Sequence, residues 1–295
     1  EIRLSLVGSE MCIRDRIADI SRMKELGFNM LRKHAKIEPE RFYYHCDQLG
    51  MLVWQDMVNG GSAYKHWFVT YLATLMNWNH ISFSDDEKHA GLLSRLHPEG
   101  KDEFRREITE TIAFLYNHPS IVVWVPFNEG WGQFDALAAC EQIRTLDSSR
   151  LVDHASGWFD QKGGDILSLH YYFLKLKFKP ESKRAAALTE FGGYSLSIPG
   201  HSCCKKVYGY KKFNSTGTLT YGYIDLIRQT ILPAVKKGIG ATVYTHLSDI
   251  EEETNGIYTY DREICKIDPD TLRKWNRALK EAGECKTYAD HTTDH

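Results

Sequence analysis

From about residue 17 onward the chain alternates between segments whose apolar residues recur every three or four positions and short β-branched runs that end in polar residues. Ile20, Met23 and Leu26 have helical spacing and precede Gly27, which can end a helix in the left-handed conformation, so Phe28 to Arg32 reads as a strand. A second helix is predicted from Pro39 to Leu49, stopped by Gly50, with a strand at Met51 to Gln55. Phe104, Ile108, Ile112 and Leu115 mark a helix over Lys101 to Asn117, and Ile121 to Pro126 carries the clearest strand pattern. Further strands are predicted at Leu151 to His154, Ile166 to His170, Ala185 to Thr189 and Ile239 to Tyr244, and further helices at Asp135 to Leu146, Tyr223 to Lys237 and Asp270 to Lys280. Met57 to Gly100 is long and mixed, with Trp67 and Trp78, and reads as a helix-containing insertion.

This order predicts an α/β fold with parallel strands. A closed (β/α)8 TIM barrel needs eight strands, and the pattern supplies one fewer, the first being the one missing. An open doubly wound sheet is the alternative, but no glycine-rich phosphate loop follows any strand, so dinucleotide binding has no support. The opening stretch Leu6 to Asp15 carries no helical or alternating pattern that continues past Ile17. It resembles an in-frame translation of the transposase-adapter end used in shotgun sequencing libraries, so residues 1–16 are set apart as non-native. Residues 17–283 are then the barrel domain of a chain expected to have lost its preceding part, and 284–295 a polar tail.

The 295 residues carry 37 Lys+Arg against 39 Asp+Glu, without a basic block, which removes the electrostatic footprint of a nucleic-acid or anionic-membrane binder. No apolar run approaches the roughly 18 residues of a spanning helix. Seven cysteines are an odd count, scattered apart from the adjacent Cys203 and Cys204, which suits reduced thiols better than a disulfide framework or a zinc site.

In a barrel the reactive groups stand at the C-terminal ends of the strands. Those ends carry Arg32 and His34, Gln55 and Asp56, Asn128 and Glu129, Asp153 and His154, His170 and Tyr171, Glu190, and His246 with Asp249. Glu129, in Trp-Val-Pro-Phe-Asn-Glu-Gly-Trp, and Glu190, in Leu-Thr-Glu-Phe-Gly-Gly, each end an apolar strand without an adjacent basic residue. Glycoside hydrolysis needs two carboxyl groups of opposed protonation, so this pair is chemically sufficient.

The run Phe28-Asn-Met-Leu-Arg-Lys-His34, with Phe42 to Asp56, His118-Pro-Ser-Ile-Val-Val-Trp124, Asn128-Glu129 and Thr189-Glu-Phe-Gly-Gly193, resembles glycoside hydrolase family 2, which contains β-galactosidases, β-glucuronidases and β-mannosidases. The resemblance covers Ile17 to about Arg262. It implies Glu129 as general acid/base, Glu190 as nucleophile and Asn128 as a ligand of the sugar 2-hydroxyl. It also implies Tyr171 as the tyrosine that hydrogen-bonds the nucleophile and Arg32 as the arginine that holds that carboxylate ionised, with His34 beside them. Trp131 and Trp158 are candidate aromatic faces for a sugar ring. The sequence departs from the family in Val-Tyr-Thr-His-Leu-Ser-Asp249, where a tryptophan is frequent, and in Gly-Ile-Tyr after Asn255, where no Asn-x-Lys of the uronate-reading kind is found. The resemblance therefore implies an exo-acting retaining β-glycosidase for a neutral sugar, β-galactosidase-like, with a carbohydrate substrate, no obligatory cofactor, and β-sandwich domains ahead of the barrel in the full-length protein.

Two other readings stay open at this level. His154, His170, His246 and Asp249 at strand ends would suit a metal-dependent barrel hydrolase. A glycan-binding barrel fragment without turnover is the other, because a missing first strand would leave two unsatisfied edges.

Overall fold

The computed structural model describes residues 16–290 apart from 66, 80, 173–175 and 205. The N-terminal segment set apart as non-native lies outside the described residues except for Arg16, which opens the first helix. Parallel strands alternate with helices in the order of a (β/α)8 barrel: α1 (16–25), β1 (Met30–Lys33), α2 (Glu40–Leu49), β2 (Leu52–Asp56), α3 (Ala73–Trp78), α4 (Pro98–Leu115), β3 (Ile121–Val125), α5 (Ala136–Leu146), β4 (Leu151–Val152), β5 (Ile166–Tyr171) and β6 (Ala185–Gly192). After a short pair, β7 (Tyr194–Ser195) and β8 (Lys211–Lys212), come α6 (Thr216–Leu226), α7 (Leu232–Lys237), β9 (Ile239–Thr245) and α8 (Pro269–Asp290). Each strand predicted from the sequence is present.

The chain divides into two compact units. One holds residues 30–47 and 52–190, and with them Arg32, Asp56, Asn128, Glu129, His170 and Glu190. Its β1, β2, β3 and β4 pair in parallel in that order, with Arg32 opposite Trp54 and Gln55 opposite Trp124. β5 lies beside β6. α4 buries Phe104, Ile108, Ile112 and Leu115, the stripe that its spacing predicted, and starts at Pro98, whose missing N–H costs nothing in the first turn. The insertion folds as expected around a helix: Phe68, Ala73 and Leu93 pack with Trp158 and Phe159. β4 is shorter than the predicted run because beyond Val152 the chain turns so that Ser156 can pair with Asn128.

The other unit holds the described residues before Met30, residues 48–51 and those from Phe191 onward. In it, Ile20, Met23 and Leu26 of the first helix are buried, and Asn276 of α8 donates to the Leu26 carbonyl at 2.8 Å. The helix predicted from Tyr223 begins earlier, at Thr216, because Ser215 and Thr218 form a reciprocal capping box. It continues through a π turn, Ile227–Ile231, into α7 and stops at Gly238. α8 runs to Asp290, so the residues expected as a tail from 284 are helical as far as they are described; Lys280 and Glu284 stand at i,i+4, 3.9 Å apart.

One buried carboxylate organises the turn between α5 and β4. Asp147, 1% exposed, accepts from the Trp124 indole at 2.8 Å, the Ser149 amide at 2.9 Å and the Arg150 guanidinium at 2.5 Å. Burial pushes its pKa up, but the bonds from Ser149, Arg150 and Trp124 outweigh this and hold it at about 2. Asp147→Ala is expected to cost about 3 kcal/mol, measured by denaturant unfolding, since it strands the Trp124 and Arg150 donors. Because the folded pKa lies below the unfolded one, the stabilisation is present above about pH 4 and fades as the pH falls towards 2, and Asp147→Ala should lose that acid limb.

Candidate active site

The strand ends of the first unit converge on one buried cation. Arg32, at 3% side-chain exposure, gives Nε to Asp56 Oδ1 at 3.0 Å and Nη2 to Asp56 Oδ2 at 2.9 Å, a two-pronged clamp. Nη2 also donates to Asn128 Oδ1 at 2.8 Å, and Nη1 to the Thr189 carbonyl and to Glu190 Oε1, both at 3.1 Å. Burial alone would lower the arginine's pKa; the Asp56 and Glu190 carboxylates outweigh it and keep the guanidinium charged.

Glu190 takes Arg32 on one oxygen. The other accepts from the Tyr172 hydroxyl and lies 3.7 Å from His170 Nδ1. Burial raises its pKa, yet the charges of His170, Arg32 and His34 and the Tyr172 bond prevail, so the carboxyl sits well below the ordinary range. Glu129 has a different setting. Its Oε1 accepts from His170 Nδ1 at 2.8 Å, and no arginine reaches it among the described residues. His170, 1% exposed on its side chain, thus stands between the two glutamates. Burial would lower its pKa, but Glu190 and then Glu129 raise it above the ordinary imidazole value. One oxygen of each glutamate and a ring nitrogen of His170 lie within 4.8 Å of one another.

Local backbone geometry puts the glutamates there. Glu129 has φ 52°, a left-handed conformation costing on the order of 1–3 kcal/mol in a non-glycine residue, and is held there by its N–H to the Ser156 carbonyl and by Trp131 N–H to the Asn128 carbonyl. The next residue must be glycine: a Cβ on Gly130 would meet the Phe159 ring at 2.3 Å. Gly157 has the same role under His170, where a Cβ would come 2.6 Å from the imidazole. Beneath lies a hydroxyl layer. Ser156 Oγ contacts His170 Nε2 at 3.2 Å and Thr189 Oγ1 at 3.0 Å, and Ser168 Oγ donates to buried Asp153 at 2.9 Å.

Arg32, Asn128, Glu129 and Glu190 are therefore brought together. The sequence expectation for Tyr171 requires correction: the hydroxyl on Glu190 belongs to Tyr172. Alternate residues of a strand face opposite sides, so Ser168, His170 and Tyr172 share the site face and Tyr171 does not. That period of two was the available signal. Trp131 is 40% exposed and packs against Tyr64 at 5.4 Å between centroids, whereas Trp158 is buried with Phe68 and Phe159, which suits packing rather than a sugar platform. His34 is exposed and acts on Glu190 through charge alone. Asp56 stood at a strand end in the sequence, but only the fold shows it clamping Arg32. The metal-ligand set His154, His170, His246 and Asp249 is not gathered. His154 Nε2 lies 3.1 Å from Asp160, Asp249 receives the buried Lys266 ammonium at 2.5 Å, and neither they nor His246 belong to a metal-sized cluster among the described residues.

The model of glycosyl hydrolases family 2, TIM barrel domain, matches residues 5–231. The chain belongs to that family. A β-galactosidase of Leuconostoc mesenteroides is 26% identical over 287 residues, covering 92% of this chain but 24% of the relative. A β-mannosidase B of Thermothelomyces thermophilus is 32% identical over 94 residues, 32% of this chain and 8% of that one. The chain thus spans about a quarter or less of the curated relatives' length. A β-D-glucuronidase of Dictyoglomus thermophilum superposes with a TM-score of 0.61 at 15% identity, over 89% of this chain and 47% of the other, and a β-galacturonidase of Eisenbergiella tayi with 0.59 at 19%, over 90% and 47%. At those identities the shared feature is the fold.

Tyr172→Phe removes a donor from an ionised carboxylate, so the Glu190 pKa should rise, by on the order of one unit. A carbon-13 NMR titration of the glutamate side chains reads that shift, and an unchanged titration would refute the assignment of Tyr172.

Proposed function

We propose that the chain is the catalytic barrel of a retaining exo-β-glycosidase that releases a terminal neutral sugar, with β-galactosides as the preferred class. The observation that carries this reading is a pair of glutamates within 4.8 Å of each other, one of them held ionised by Arg32, His170 and Tyr172. Retention by double displacement uses carboxyl groups about 5–5.5 Å apart, whereas an inverting pair leaves room for water at roughly 6.5–9.5 Å. The β-galactosidase relative matched along 92% of this chain and the lack of Asn-x-Lys after Asn255 favour a neutral galactoside.

Glu190, ionised between Arg32, His170 and Tyr172, is the nucleophile that attacks the anomeric carbon. Glu129 protonates the departing oxygen, and the proton shared in its bond with His170 Nδ1 is the one nearest to hand. In the second step Glu129 takes a proton from water as that water attacks the glycosyl ester, releasing the sugar and restoring Glu190. Asn128, held by Arg32, is placed to meet the sugar 2-hydroxyl, and the open face of Trp131 is left for substrate.

Aryl β-galactoside, β-glucuronide, β-mannoside and β-glucoside hydrolysis by wild type, Glu190→Gln and Glu129→Gln tests the reading. Glu190→Gln is expected to lower kcat by about a thousandfold or more on the galactoside. Glu129→Gln should spare glycosylation from good leaving groups and regain turnover with azide. Proton NMR should show the β-anomer as first product; α-product would refute the mechanism. The rate should fall as the pH rises through the His170 pKa, above the usual 6.5, because the pair with Glu129 then loses its shared proton, and His170→Gln should move that limb.

A further inference from the structure

A cavity of about 600 Å³ opens among Gly60, Ser94, Arg95, His97, Glu103 and Glu107. Its walls include the loop that follows β2, and Arg95 and Asn59 tie it to the loop that follows Glu129. Arg95 is 6% exposed and spends three N–H groups on neutral acceptors: the Gly132 carbonyl at 2.7 Å, the Gly100 carbonyl at 3.0 Å and Asn59 Oδ1 at 2.6 Å. A guanidinium has five, so two are uncommitted. The other buried arginines, Arg32, Arg150 and Arg184, each hold a carboxylate; Arg95 has none within ion-pair distance among the described residues. Burying a cation without a counter-charge costs several kcal/mol, which the Phe104 and Phe134 rings, 5.1 and 5.3 Å from the guanidinium, offset only in part, so an anion would complete the site.

Two further observations point the same way. The Ser94 hydroxyl, in a residue 3% exposed, has no partner, and the Ser94 backbone is left-handed at φ 61°. His97 precedes the 18-residue α4 without a side-chain cap, so the first-turn N–H groups and the positive end of the helix dipole lie at the same cavity. Glu103 and Glu107 line it as well, and Glu103 is paired with Arg106 at 2.7 Å. These carboxylates would repel a bare multivalent anion but accept hydrogen bonds from hydroxyls.

We propose that this cavity binds an anionic saccharide, its single carboxylate or sulfate on Arg95 and Ser94 and its hydroxyls on Glu103 and Glu107. Its Arg95 and Asn59 reach the Gly132 and Trp131 carbonyls of the loop that follows Glu129. This deepens the glycosidase reading and rests on it only for the leaving-group role.

Calorimetric titration of the full chain with sodium galacturonate, galactose and sodium sulfate tests the site. Galacturonate binding should weaken by about tenfold or more in Arg95→Gln, the loss of one charge-assisted contact. Because Arg95→Gln also loosens two loops, Gly60→Trp is the second variant. A Cβ at Gly60, which lines the cavity, meets nothing within 4 Å, so an indole can be added there to occlude the cavity without replacing Arg95. Galacturonate binding that survives both variants in cooperatively melting proteins overturns the site, and sulfate binding as tight as galacturonate overturns the saccharide assignment. For the source of the anion, β-galactosides with an acidic leaving group are compared with their methyl esters. A preference of about tenfold for the acid that Arg95→Gln removes identifies the leaving group. Equal rates identify a free sugar acid as the ligand, and galacturonate binding without any hydrolysis refutes the glycosidase reading while upholding the site.

Discussion

A guanidinium taken out of water must find acceptors on every side, and Arg32 finds them on three other segments of the chain. Asp56 closes on it from the end of β2, Asn128 from beyond β3, and the Thr189 carbonyl and Glu190 from β6. Removing any one of these would leave part of a buried charge uncompensated, at a cost of several kcal/mol. The same contacts that settle the arginine set the spacing of the strand ends and keep Glu190 ionised. Stability and reactivity at this place are one set of hydrogen bonds.

The asymmetry of the two glutamates comes from that arrangement. Glu190 has a fixed cation, a phenol and a share of His170; among the described residues Glu129 has only the imidazole. Buried His170 stands between the two carboxyl groups, bonded to Glu129 and 3.7 Å from Glu190, while its other nitrogen rests on the Ser156 hydroxyl. The strained backbone of Glu129 is sustained by the pairing with Ser156 and the close approach of Phe159 to Gly130. Strain of that kind persists only where surrounding packing over-determines it, as the aromatic cluster of the insertion does here.

Buried arginines elsewhere in the same unit obey the rule that Arg32 sets. Arg150 is neutralised by Asp147, and Arg184 by Asp160 and Glu181. Arg95 departs from it, and the departure coincides with a cavity, an orphaned hydroxyl and an uncapped helix. Where a protein keeps a charge desolvated without its own counter-ion, the missing partner is sought outside the chain.

The alternation of helical and strand periods by itself determined the α/β order, since amphipathic spacing is a local property and survives without knowledge of neighbours. Strand ends with acids free of an adjacent basic residue likewise marked Glu129 and Glu190, because a carboxylate that ends an apolar run has little structural use, while Asn128 and Arg32 drew their expected roles from the family resemblance. What stands next to what was decided only by tertiary structure. Tyr172 rather than Tyr171 reaches Glu190 because strand pleat and register select the face, and a shift of one residue reverses it. Trp158 turned inward because the distant Phe68 and Leu93 offered an apolar wall, and His170 became the link between the glutamates only when β5 was set beside them. Those outcomes depend on contacts between residues far apart in the chain, which no local periodicity records.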